Sequence, residues 1–291
     1  NKNYYNKSFV EIKPNQSFML MNEKIFIAPL ATINGKTTMF KLNSDGPLYV
    51  AELAMFKRSS IFSTDDTNPD IDEWISLLNN SNVSEKRDHI PTPLNINYQG
   101  IFYYSRVSGV VKGNKWDAKI INENDYFKIP NKSKGVAYAL NNVYNHTFGT
   151  NQAQSGNVIK RYSDTAYQSH ANYGVTYDIE IPLYNLNQEA TSVAISFDSP
   201  IRTVDDIRQD KVSYYENPPE KITFRGDFKV EYQNSLGNIV KKYIHVVQRS
   251  GQSGLPLVSI FMQPGDKRNV KISYVYPADC TPPHILTITS N

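Results

Sequence analysis

Asp164, Ser169 and His170 stand in one polar stretch, and a serine, an imidazole and a carboxylate are what hydrolysis uses as nucleophile, general base and orienting partner. A triad needs the three to converge on a nucleophile held by a strained turn. No Gly-x-Ser-x-Gly element occurs anywhere in the chain, so a hydrolase using His170 and Asp164 is an alternative and not the primary reading. The tyrosines carry more weight. There are 20 in 291 residues, with Tyr162, Tyr167 and Tyr173 bracketing the same stretch and Tyr98, Tyr103 and Tyr104 upstream. Tyr offers a ring face and a hydroxyl, which suits stacking on sugars, protein interfaces and sandwich cores alike. A carbohydrate-binding module using this Tyr-rich loop is the second alternative, with Arg161, Tyr162, Asp164, Tyr167, His170, Asn172 and Tyr173 as candidate binding residues. The plainer role for Arg161, Asp164 and His170 is to hydrogen-bond the loop's own backbone and fix its shape.

The elements that must position these groups read as strands. After Asn172, residues Tyr173, Val175, Tyr177, Ile179 and Ile181 alternate with Gly174, Thr176, Asp178 and Glu180, the period-two pattern of a half-buried strand. A polar loop therefore feeds a core strand, where binding residues concentrate. Val193, Ile195 and Phe197 alternate in the same way, as do Phe228, Val230 and Tyr232, and Val270, Ile272, Tyr274 and Tyr276. Phe228 to Val247, interrupted at Ser235-Leu236-Gly237-Asn238, predicts a long hairpin. Without any βαβ rhythm, the fold class is all-β, an antiparallel β-sandwich.

Upstream, 17–21, 24–28, 37–42 and 47–56 read as short strands separated by the hairpin dipeptides Asn34-Gly35 and Asp45-Gly46. Ile71, Trp74, Ile75 and Leu78 follow helical spacing and predict one helix over 69–79, with Asn68 as N-cap and Pro69 as its first residue. Ser81 to Asn97 is polar with two prolines and marks a linker. The expectation is a small N-terminal β domain over 1–90 carrying that helix, and a large β-sandwich domain over 97–291.

A net charge of +3, with 31 basic against 28 acidic residues scattered evenly, provides no electrostatic footprint for nucleic acid. Mean hydropathy is −0.50, and no apolar run approaches the length of a transmembrane helix. The five histidines form no i, i+4 or His-x-His pair, and the acidic run at 65–73 lacks the glycine and the bidentate glutamate of an EF-hand, so no metal is expected. Asp70, Asp72 and Glu73 instead complement a helix N-terminus. Neither Gly109 to Gly113 nor Gly251 to Gly254 has a phosphate-loop context, and no cofactor is implied. Cys280 is the lone cysteine, which excludes an intramolecular disulfide and leaves the compartment open. Arg225-Gly226-Asp227 spells an adhesion tripeptide inside a strand pattern, where it reads as coincidence.

Several segments resemble a cyanobacterial family known only as a domain of unknown function. They are Arg161-Tyr162-x-Asp164-Thr165-Ala166-Tyr167-x-x-His170-x-Asn172-Tyr173-Gly174, Phe224-Arg225-Gly226, Tyr243-x-His245-x-Val247-Gln248-Arg249, Met262-x-Pro264-Gly265-Asp266-x-Arg268, and Tyr276-Pro277 running to Thr281-Pro282-Pro283. The resemblance implies an exported protein, periplasmic, secreted or on the cell surface, and brings no catalytic residues. It also implies that the chain is a C-terminal portion of a longer protein, and that Cys280 stands where relatives carry alanine. The expected function is a non-catalytic structural or assembly protein of the cell envelope or surface. Its expected partners are an envelope protein or further copies of itself, or a polysaccharide.

Overall fold

The computed structural model describes residues 9–25, 38–55, 68–81, 89–94, 99–145, 152–201, 211–278 and 280–291. The chain divides into two units, Asn1–Glu85 and Lys86–Asn291. The second holds the strands: β1 (Gly109–Val111), β2 (Lys115–Lys119), β3 (Phe127–Lys128), β4 (Gly135–Leu140), β5 (Val158–Arg161), β6 (Thr176–Tyr184), β7 (Thr191–Asp198), β8 (Ile222–Gln233), β9 (Ile239–Arg249), β10 (Pro256–Met262), β11 (Lys267–Val275) and β12 (His284–Ser290).

One sheet runs β2-β6-β11-β8-β9, with β3 also on β6; a four-stranded sheet runs β10-β7-β12-β4; β1 and β5 form a separate pair. The two larger sheets pack face to face. Tyr177, Ile179 and Ile181 of β6, Phe228 and Val230 of β8, and Val270 and Ile272 of β11 share one core with Val193, Ile195 and Phe197 of β7 and with Leu286 and Ile288 of β12. Ring centroids cross the interface, Phe197 lying 4.4 Å from Phe224 and 5.0 Å from Phe228. The alternating residues of β6, β7, β8 and β11 therefore form the two inner faces of a sandwich, as period-two patterning requires. The β8–β9 hairpin turns at 234–238, where Asn234 Oδ1 accepts from the backbone N–H of Leu236 and of Asn238 at 3.0 Å each, and Gly237 takes φ +80°.

Not every pairing is antiparallel. β2 and β3 both run parallel to β6, at Thr176 to Glu180 and at Leu183 to Tyr184. Between them the edge breaks at 120–126, where Asn122 donates to Lys128 O at 3.0 Å and accepts from Lys128 N at 2.7 Å. Period-two patterning assigns a face but carries no strand direction, so this edge was not readable from alternation.

Two buried polar groups hold the sandwich. Asp198 is 2% exposed; its Oδ1 accepts from Gly254 N at 2.5 Å, and its Oδ2 from Tyr214 Oη at 3.0 Å and Thr287 Oγ1 at 2.6 Å. Burial raises its pKa above the ordinary carboxylate range. Gly254 can be only glycine, because a Cβ there would sit 2.0 Å from the carbonyl oxygen of Phe197. His284, fully buried, lies 5.3 Å from the Phe197 ring and 5.4 Å from Phe224, with Nδ1 2.8 Å from Tyr276 Oη.

The outward face of the β6-containing sheet is charged and solvated. Lys115 bridges Asp117 and Asp178 at 2.7 and 2.9 Å, and Glu231 meets Lys229 and Lys241 at 3.0 and 3.1 Å. Arg225-Gly226-Asp227 lies within β8, and Asp227 is paired across the ladder with His245 at 2.7 Å. An extended, paired strand does not display that tripeptide as a loop would.

In the first unit the regular element among the described residues is α1 (Ile71–Asn80). It starts two residues later than its spacing predicts. Its N-cap is Asp70, not Asn68, because Asp70 accepts from Glu73 N at 2.9 Å while Glu73 accepts from Asp70 N at 3.0 Å, a reciprocal capping box. The expected strands at 17–21, 24–25, 38–42 and 47–55 form no ladder among the described residues. Asp45-Gly46 does turn the chain, with the Ser44 hydroxyl on Gly46 O at 2.5 Å, yet no second strand is paired across it. β-propensity specifies a strand only where a ladder partner and a buried face exist. The dipeptide Asn34-Gly35 and residues 26–28, 37 and 56 lie outside the described residues. Of the proline-rich linker, 89–94 is described and is packed within the second unit: Thr92, 5% exposed, exchanges hydrogen bonds with Tyr103 through N–H to O at 2.9 Å and Oγ1 from N at 3.0 Å.

Candidate functional site

The loop from 162 to 175 joins β5 to β6, and Arg161, the final residue of β5, governs its shape. One guanidinium nitrogen, Nη1, donates to the carbonyls of Tyr162 at 2.8 Å, Ser163 at 3.4 Å and Thr165 at 2.8 Å. The guanidinium also lies 3.9 Å over the Tyr167 ring. Thr165 closes the turn, its hydroxyl accepting from Tyr162 N at 3.1 Å and bonding Tyr162 O at 3.0 Å. What selects arginine over lysine is that the same planar group also stacks on the Tyr167 ring, which a compact ammonium does not reproduce.

The segment 101–108 runs alongside and supplies partners that the loop itself lacks. Asp164, 3% exposed, meets Arg106 at 3.4 Å; Ala166 N donates to Arg106 O at 2.9 Å; and His170 Nε2 lies 2.7 Å from Ser105 O. The Tyr104 ring is 5.3 Å from the imidazole. Asp164 and His170 are thus each held by neighbouring residues of 105–106. Ser169 is buried, and its backbone N–H bonds Gly156 O at 2.8 Å.

Asn172 points inward. It is 1% exposed at φ +51°, a left-handed conformation that asparagine tolerates, and its Nδ2 donates to Gln154 O and Tyr177 Oη at 3.0 Å each. Tyr177 Oη in turn donates to Gln154 Oε1 at 3.2 Å, and Gln154 donates to Ala139 O at 2.9 Å, tying the loop to β4. Tyr177 and Tyr274 stack at 5.1 Å, and burial raises both phenol pKa values well above the ordinary range. Both phenols stay neutral, and the hydrogen bonds of the pair are made by Tyr177. The surface rings of the loop are Tyr162 at 43% and Tyr173 at 50% exposure, Tyr173 donating to Cys280 O at 3.4 Å. Arg161 and Tyr167 are brought into direct contact, and Asp164 and Asn172 are interior.

Sequence reasoning missed Arg106, Ser105, Gln154 and Phe102. Each lies far upstream of the loop residue it serves or, for Phe102, in a segment without strand patterning, so composition and spacing carry no signal of the pairing. Tyr98 lies outside the described residues.

If Arg161 shapes the loop, Arg161→Lys will not replace it. Losing its paired carbonyl contacts should cost about 2 kcal/mol locally. Hydrogen exchange at Tyr162 N, Thr165 N and Ala166 N should quicken at least about tenfold while β6 and β11 amides hold. Unchanged exchange would show that the turn stands without the guanidinium.

Fold and site define an all-β sandwich protein whose most distinctive surface is a rigid, aromatic loop on one end of a strand. The chain belongs to a family described as Protein of unknown function (DUF3370), whose model matches residues 2–290. No curated protein and no solved structure matches it. Among the described residues no helix is long and apolar enough to cross a membrane, and no cluster of His, Cys, Asp and Glu has the grouping of a metal site.

Proposed function

We propose that this is a non-catalytic structural or assembly protein of the cell envelope or surface, which docks onto further copies of itself through its first unit. The observation that supports this reading is the state of that unit's apolar side chains. No described residue between 9 and 81 is buried, while Tyr49 is 104%, Val50 85%, Phe9 80% and Met39 62% exposed. Covering one such side chain is worth about 1.5–3 kcal/mol, and apolar exposure on this scale marks an interaction surface. The 47–55 segment, unpaired and rich in apolar residues, is suited to strand addition. Placement outside the cytoplasm rests on the family resemblance alone.

Light scattering with electron microscopy of the same fraction tests the reading. Particles larger than the 33.1 kDa chain are expected, and Tyr49→Asp with Val50→Asp should dissociate them. A strict monomer across a broad concentration range would remove the self-assembly reading.

A further inference from the structure

We propose that β9 is the acceptor edge of the assembly, and that the 47–55 segment of a second molecule adds to it as a further strand. The inference rests on the self-assembly reading and names the surface that answers the first unit. Among the described residues β9 closes one end of the six-stranded sheet, with β8 as its ladder partner. An edge strand presents a row of backbone N–H and C=O groups to whatever comes alongside.

Proteins guard such edges by keeping them short, or with proline, bulges or lysine. The other sheet ends are guarded in this way. β2 and β3 have 5 and 2 residues with a break between them, β4 has 6, and β10 has 7 with a register shift between Pro256 and Val258. β9 runs 11 residues without proline or glycine, and its ladder shifts only opposite its far end, between Ile222 and Phe224. Its lysines, Lys241 and Lys242, fall within its first four residues. From Tyr243 to Gln248 there is neither lysine nor acid, and Tyr243, Ile244, Val246 and Val247 are strong strand formers. Ile244 and Val246 pack against the sandwich core yet are only half-buried, and on the outer side Tyr243 is 76% exposed. A strand laid beside β9 covers both sides of that lip.

Charge chooses the partner. β9 holds Lys241, Lys242 and Arg249 and no acid, so two copies of β9 cannot answer each other's cations in any register. Antiparallel pairing centred on His245 would set Lys241 opposite Arg249 twice, and like charges directly opposite are destabilising. Segment 47–55 holds Glu52 and no cation. As a strand it turns Tyr49, Ala51 and Leu53 to one side, an apolar set that fits against Ile244 and Val246. Glu52 then faces the other side, with the outward cations Lys241 and Arg249. A contact of one molecule's first unit with the next one's second unit is head-to-tail, so it builds rows or rings and not a two-fold dimer.

Two full-chain variants test the assignment by light scattering. Val246→Lys sets a lysine on the inner side of β9 and blocks the acceptor, and Tyr49→Asp with Val50→Asp blocks the donor. Each alone should associate at least about tenfold more weakly than the parent. Mixed in equal amounts they should form a 1:1 dimer and stop there, because one sound edge and one sound segment remain to meet. Thermal melts establish that each variant folds. Lys241→Glu with Arg249→Glu, which changes only exposed side chains, serves if Val246→Lys does not fold; it should weaken association, and Glu52→Lys on the same chain should recover part of it. Parent-like assembly of the β9 variants, a mixture that stays monomeric, or dimers of the donor-blocked variant alone would each overturn the acceptor assignment and leave self-assembly standing. A monomeric parent would defeat both.

Discussion

Asp198→Ala should destabilise the second unit by roughly 3–5 kcal/mol, because three buried donors, at about 1–3 kcal/mol each, lose one shared acceptor and the two hydroxyls can reorient to recover part of it. The carboxylate receives the Gly254 N–H and the Tyr214 and Thr287 hydroxyls, joining β7, the segment before β8, the approach to β10, and β12. Alanine takes the shared acceptor from all of them inside the protein, where each unmet donor costs about 1–3 kcal/mol. Asp198→Asn should recover part of the loss. Hydroxyls can reverse to accept from an amide, whereas the Gly254 N–H can only donate. Chemical denaturation of the three proteins measures this as a shift in midpoint at constant slope. Equal stability of the alanine variant and the parent would mean that water replaces the carboxylate without cost.

A second large effect is expected in acid. Burial pushes the His284 pKa down from 6.5 to about 3, because losing water in its aromatic enclosure outweighs the backbone hydrogen bond at Thr223 that favours the charged form. The unfolded chain therefore binds a proton below about 6.5 that the folded chain refuses until about 3. Stability is complete above pH 6.5 and falls as pH drops through that window, by about 1.4 kcal/mol per pH unit. Asp198 acts in the opposite direction at the lower end. Its raised pKa makes the folded state the tighter proton binder just above the ordinary carboxylate value, which offsets part of the loss there. His284→Gln, which cannot titrate, should flatten the denaturation midpoint between pH 6.5 and 4 by more than half. A variant with the same acid slope as the parent would place the proton uptake elsewhere.

How far the sequence reached is clearest on β6. Its alternation predicts the buried set Tyr173, Val175, Tyr177, Ile179 and Ile181; the last three are 0%, 2% and 0% exposed, whereas Tyr173 and Val175 precede the strand and Tyr173 is 50% exposed. Val193, Ile195 and Phe197 are buried as their alternation predicts, because a strand with one face on a core writes its period into the residues themselves. The first unit shows where that logic stops: 47–55 has the composition of a strand and no ladder, since pairing depends on a partner that no local pattern encodes. The candidate site divides the same way. The loop's position before a core strand was legible, as was the idea that Arg161 bonds its own backbone. That Ser105 would meet His170 across 65 positions, or that Phe102 to Tyr104 would face Tyr167, depends on chain register and was not.

The pairing of β12 bears on how the molecule comes to be made. β12 lies between β7 and β4, with His284 opposite Leu140 and Ile285 opposite Asp198. A ribosome must emit the whole stretch between β4 and β12 before the four-stranded sheet can zip, so β4 and β7 wait with apolar faces uncovered. Closing contacts of such long sequence separation is slow, and waiting strands are prone to wrong partners. A nascent chain of this design therefore has reason to be met by a chaperone until Ser290 is out.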